Sequence, residues 1–223
     1  MTLKSFKYVA LFLIVLTASV TTAGNSGFSP AFLDGIAKQY GSRAKLRVIA
    51  WQRLIDEERG GNEWQLIHAV NDFFNRVKFV SDKKHWGQVD YWATPVEFLA
   101  TYGGDCEDFS IAKYFTLREL GVPDERLRIT YVKAIRLNQA HMVLAYYENP
   151  EDEPLILDNL IPRIERASRR TDLVPVYSFN GNNLWMSKER GQQGRIVEGG
   201  AKRINLWRDL NNRMRQEKQP NNR

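Results

Sequence analysis

The hydrophobic period of the chain changes at Gly121. Before it, apolar residues recur at helical spacing: Trp64, Ile67, Val70, Phe73, Phe74 and Val77 form one face of a helix over 63–77, behind an Asn62 N-cap. Shorter helices are expected over 29–39 and 45–58, the second closed by Gly60-Gly61. Another runs over 107–120, with Gly121 and Pro123 as stop signals. After Gly121 the runs Leu127 to Ile135, His141 to Tyr147 and Pro154 to Leu160 are aliphatic, β-branched or aromatic, with polar turns between them. They read as consecutive antiparallel strands. Helices first and strands second, within 223 residues, restrict the fold to α+β, a helical part on an antiparallel sheet. Residues 81–95 read as a loop carrying Trp86, Tyr91 and Trp92, and the chain looks irregular from Arg169 onward. Near the end, Ile204, Trp207, Leu210 and Met214 share one helical face, which predicts docking onto the core.

The two ends carry most of the charge. Lys4 and Lys7 precede an apolar run from Tyr8 that fades by Val20, and Thr21-Thr22-Ala23 offers small residues for cleavage. That pattern predicts a secretory signal over 1–23, cut after Ala23, and the run is short of the roughly 20 residues that span a bilayer. The expected mature chain, 24–223, is a single exported, periplasmic catalytic domain without stable membrane insertion. Its last segment, 201–223, holds seven Lys/Arg against two Asp/Glu, whereas 24–200 holds 23 basic and 24 acidic residues. A net charge of +6 therefore reflects the termini, and the neutral body argues against nucleic-acid binding.

One cysteine forbids an internal disulfide and any Cys-rich metal site. Cys106 follows a Gly103-Gly104-Asp105 turn and opens the 107–120 helix. Unsatisfied N–H groups and the helix dipole favour a thiolate there, and the Cys106 amide can hold an oxyanion. Of three histidines, His68 lies within the amphipathic 63–77 helix and His85 in the aromatic loop. His141 opens a strand, and Asp158 ends the next apolar run, so adjacent strands can set Asp158 beside the imidazole. The bland alternative is a packed thiol, a strand-edge histidine and a turn aspartate. Asp105, Glu107 and Asp108 crowd the same helix start. They would cap the helix and complement its dipole, yet they raise a neighbouring thiol pKa unless a cation offsets them, and hard carboxylate oxygens suit Ca²⁺.

The segments Asp90-Tyr91-Trp92-Ala93-Thr94-Pro95-Val96-Glu97-Phe98-Leu99 and Gly103-Gly104-Asp105-Cys106-Glu107-Asp108-Phe109 resemble the bacterial transglutaminase-like cysteine proteinases. The likeness continues through Leu120-Gly121-Val122-Pro123, His141-Met142-Val143-Leu144, Leu157-Asp158-Asn159, Val176-Tyr177-Ser178-Phe179-Asn180 and Leu184-Trp185, and so spans roughly 62–186. The resemblance implies a papain-like, transglutaminase-type fold with Cys106 as nucleophile, His141 as base and Asp158 as its orienter. It implies Ca²⁺ held by Asp105, Glu107 and Asp108. It further implies cleavage of the N-terminal region of a large surface adhesin at an Ala-Ala pair, which releases the adhesin and detaches biofilm. A further implied partner is the periplasmic domain of an inner-membrane receptor for cyclic di-GMP, which sequesters the protease. The same triad would also serve a cell-wall peptide hydrolase or an acyl transferase, and a non-catalytic calcium-binding interaction protein is a rival of another class.

Overall fold

The computed structural model describes residues 27–187 and 195–218, so the expected signal segment lies outside the described residues. Ser29 accepts a hydrogen bond from the Phe32 N–H at 3.2 Å and starts α1 (Pro30–Tyr40), with proline at the first helical position. Gly41, at φ 90°, turns the chain directly into α2 (Ser42–Glu58). That helix buries Ala44, Val48, Trp51 and Ile55 on one face. Asn62 caps α3 (Glu63–Phe74) through the Gln65 N–H, as its position predicts. The helix stops three residues before Val77, because the chain must extend there into β1 (Lys78–Phe79).

The segment expected to be a loop contains a one-turn helix, α4 (Asp82–His85), and leads into α5 (Pro95–Thr101). A capping box starts α5: the Thr94 hydroxyl accepts from the Glu97 N–H at 3.1 Å, and Glu97 accepts from the Thr94 N–H at 2.8 Å. Tyr102, at φ 56°, makes the left-handed exit. β2 (Gly103–Gly104) then pairs in parallel with β1 and delivers the chain to α6 (Cys106–Glu119). A Trp51 Nε1–Thr116 Oγ1 bond of 2.9 Å ties α2 to α6 inside the core.

The sheet half comprises β3 (Leu127–Ala134), β4 (Gln139–Tyr146), β5 (Leu155–Leu157), β6 (Glu165–Arg166), β7 (Leu173–Phe179), β8 (Leu184–Met186) and β9 (Arg195–Ile196). Among the described residues these form one antiparallel sheet in the order β6-β5-β4-β3-β7-β8-β9. Alternation sends Leu127, Ile129, Met142, Leu144, Leu157 and Phe179 into the main core under the helices. Val132, Ala134, Val143, Ala145, Ile156 and Leu173 form a second, smaller cluster on the opposite face. The irregular reading beyond Arg169 is corrected here: β7 is an interior strand. Its Pro175, which argues against a strand in the sequence, sits opposite Val132 where the β3–β7 register shifts, a bulge that tolerates a missing N–H.

The terminal stripe does dock. In α7 (Asn205–Lys218), Trp207 and Leu210 are buried, and the Trp207 ring stacks on Phe115 at 5.3 Å and meets Phe179 edge-on at 5.2 Å. One of the basic residues of this segment is structural. Arg213 donates to the Trp92 carbonyl and lies over the Tyr91 ring at 4.6 Å.

Candidate active site

Cys106 is the first residue of α6, so its sulfur lies at the helix N-terminus as the sequence predicts. The two glycines before it are required by their surroundings. A Cβ at Gly104 would lie 2.2 Å from the Asp108 carboxylate, and one at Gly103 would meet His85 at 3.0 Å. They admit neighbouring side chains of the protein itself. His141, in β4, and Asp158, one residue beyond β5, come together because Leu144 faces Leu157 in the β4–β5 ladder. His141 Nε2 lies 2.8 Å from Asp158 Oδ1, and both side chains are buried.

An ionised Asp158 can only accept, so this bond places the imidazole proton on Nε2 and leaves Nδ1 as a lone-pair acceptor. Asp158 is anchored further: its Oδ1 accepts the Leu160 N–H at 3.0 Å, and its Oδ2 accepts from Arg170 Nη2 at 2.7 Å. Burial alone would raise its pKa, but His141, the Leu160 amide and Arg170 together hold it down to about 2. Arg170 also pairs with Asp172 at 2.9 Å. Nothing in the sequence pointed to Arg170, one of four arginines between positions 163 and 170 in a stretch without period. Beneath this pair, the fully buried Lys113 of α6 feels Asp158 and Asp72, and burial brings its pKa down to about 7.

The thiol itself donates to Glu107 Oε2 at 2.9 Å rather than to His141. Burial raises the Cys106 pKa strongly, Glu107 and Asp105 raise it further, and the Met142 N–H opposes them. The expected dipole benefit is thus overridden by desolvation and by the carboxylates. That Met142 amide places the sulfur against β4, next to His141 in sequence.

The three acidic residues at the helix start divide into two groups that share Asp105. Asp105, Cys106 and Glu107 bring ligand atoms within 4.8 Å of one another, and so do Asp82, Asp105 and Asp108. Asp82 was not foreseen, since no spacing in the sequence links position 82 to 105; α4 and the β1–β2 pair bring them together. Asp108 is engaged by the backbone, accepting the Ala93 N–H at 2.7 Å and the Asp105 N–H at 3.1 Å. Asp105 Oδ1 and Asp82 Oδ1 are buried without any hydrogen-bond partner. Burial, then Glu107, raises Asp105 to about 8; burial, opposed by the Tyr91 N–H, raises Asp82 to about 6. Unpartnered, crowded carboxylate oxygens fit a hard divalent cation.

The other histidines stay outside this arrangement. His68 sets its ring against Trp64 at 4.6 Å, and His85 sits edge-on to Trp86 at 4.8 Å against Gly103. Trp92 is a core residue, stacked on Phe179 at 5.6 Å. Trp86 is half-buried against Tyr91, with its Nε1 buried and unpartnered.

Residues 51–191 match the family model described as bacterial transglutaminase-like cysteine proteinase. Among solved structures, EGTA-treated LapG of Legionella pneumophila is 44% identical, with 84% of this chain and 98% of that chain covered and a TM-score of 0.72. Calcium-bound LapG of the same organism is also 44% identical, covering 84% and 99% of the two chains with a TM-score of 0.70. No curated protein sequence matches.

Proposed function

Because the chain belongs to the bacterial transglutaminase-like cysteine proteinases, we propose that it is a calcium-dependent periplasmic endopeptidase that cuts a large surface adhesin near its N-terminus. The observation that carries the chemistry is the buried His141–Asp158 pair, with Cys106 at a helix N-terminus against the adjoining Met142 amide. In this reading His141 Nδ1 takes the Cys106 proton, and the thiolate attacks the scissile carbonyl. The Cys106 N–H, the first of α6, donates to the oxyanion, with Trp86 Nε1 a candidate second donor. Asp158, fixed by Arg170, stabilises the imidazolium, which then protonates the leaving amine. Water hydrolyses the acyl-enzyme with His141 as base.

Asp105, Glu107 and Asp108 are the residues proposed to hold Ca²⁺, with Asp82 on the Asp108 side. The two unpartnered buried oxygens support the assignment, as does the existence of a calcium-bound LapG structure. Bound there, the ion would supply positive charge against Asp105 and Glu107, the same carboxylates that penalise the Cys106 thiolate. The biological part of the proposal is an N-terminal signal over 1–23, cutting at an Ala-Ala pair, detachment of biofilm, and sequestration by the periplasmic domain of a cyclic di-GMP receptor. Its support is the family resemblance. Among the described residues no helix is long and apolar enough to cross a membrane.

The test is cleavage of a purified adhesin N-terminal fragment by the mature chain with calcium, with EGTA, with EGTA and restored calcium, and with Cys106→Ala. Cutting that requires both the thiol and restored calcium is expected. Cutting that ignores EGTA removes the metal from the mechanism, and no cutting by the folded, calcium-replete chain removes the adhesin.

A further inference from the structure

The sheet face turned away from the helices holds a cavity of about 410 Å³, a size that accepts a small organic ligand. Its floor, among the described residues, is the second apolar cluster: Val132, Val143, Ala145, Ile156 and Leu173. Two arginines line the same cavity, each with one nitrogen left unpaired, although Arg170 also pairs with Asp158 and Asp172. Arg128 is 5% exposed and its Nε has no hydrogen-bond partner, while Arg170 is 4% exposed and its Nη1 has none. A buried guanidinium with an unmade bond costs free energy that an incoming acceptor recovers. Arg128 is held in place for such a role: its guanidinium lies over Tyr147 at 4.2 Å and over Trp185 at 4.5 Å, and Nη2 donates to the Pro150 carbonyl at 3.3 Å. The acid on the lining, Glu153, is already engaged by the Ser168 N–H at 2.6 Å and by Arg166 at 3.9 Å.

We propose that this cavity is a binding site for a small anionic amphiphile, its carboxylate between Arg128 and Arg170 and its alkyl chain over the Val132–Val143–Ile156 floor. Unbranched acids of about ten carbons fit within that volume and leave no charge in the apolar part. Because Arg170 donates to Asp158, the head-group end of the site lies one side chain from the proposed triad. Binding itself does not depend on that triad reading, and its readout is independent of cleavage.

The test is calorimetric titration of the mature Cys106→Ala chain with decanoate, in calcium-free buffer so that no calcium soap precipitates. Decanol and acetate serve as tail-only and head-only probes. Saturable one-to-one binding of decanoate is expected, with decanol and acetate each weaker by about tenfold or more. Arg128→Gln should weaken decanoate about tenfold. Ala145→Leu, which fills the floor opposite Arg128 without changing any charge, should also weaken it. Methyl NMR of the parent chain should place the shifts at Val132, Val143, Ile156 and Leu173. Absence of saturable binding overturns the proposal, as does decanol equal to decanoate or methyl shifts confined to the helical face. A chain that binds decanoate but whose calcium-replete Cys106 form cuts no adhesin would remove the adhesin from the proposed function and leave this site standing.

Discussion

At Cys106 two effects of opposite sign meet, and the carboxylates together with burial outweigh the helix dipole, so the free chain keeps a neutral thiol bonded to Glu107. Removing negative charge should therefore have two separable consequences. Asp105→Asn is expected to stabilise the calcium-free chain at pH 7, because the Asp105 carboxyl, raised to about 8, must take up a proton on folding and a neutral amide need not. It should also abolish the rise in melting temperature expected of the parent with calcium. Thermal melts with EGTA and with calcium read both. Asp158 is the reverse case. Its folded pKa, about 2, lies below the ordinary 3.8, so its ionised form stabilises the fold by about 2 kcal/mol above pH 4. That contribution is lost as pH falls from about 4 through 2. Asp158→Asn should accordingly be destabilised at pH 7, and the gap from the parent should narrow by pH 3, as measured by urea denaturation. At pH 7 its cleavage rate should drop roughly 10³-fold or more, since Asn no longer selects the productive tautomer or stabilises imidazolium.

Elements with local signals were legible in the sequence, and those that depend on distant partners were not. Asn62 and the 63–77 stripe announced α3, and the aliphatic runs announced β3, β4 and β5. The Thr94-Pro95-Val96-Glu97 box that starts α5 is equally local, but the surrounding aromatics made it read as loop. β7 was hidden for a physical reason: Val174 and Val176 are exposed, Pro175 cannot donate, and only the bulge against β3 accommodates it. At the site, His141 and Asp158 were readable because adjacent strands must pair. Asp82 and Arg170 were not, because a β1–β2 contact and an irregular segment deliver them. Thr94 shows how one cap can serve two elements. Its hydroxyl accepts the Glu97 N–H and donates to Glu217 of α7 at 2.6 Å. Thr94→Ala is expected to cost about 1–2 kcal/mol, read as a lower urea midpoint with an unchanged slope.

Across the molecule, the C-terminal helix closes the main core from the far end of the chain. Trp207 fills the space between Phe115 and Phe179, and Arg213 ties α7 to the loop that carries Tyr91 and Trp92. Trp207→Ala should cost about 3–5 kcal/mol by guanidinium denaturation, far more than loss of a solvated basic tail. The chain also divides its chemistry between its halves. The proposed nucleophile sits in the helical part, whereas the base and its carboxylate sit in the sheet, and a β4–β5 pairing must form before His141 meets Asp158. A newly made polypeptide in which the two halves have not yet closed on each other thus holds no assembled Cys–His–Asp set. The chemistry proposed for these side chains is therefore a property of the finished fold alone, absent from a half-folded chain.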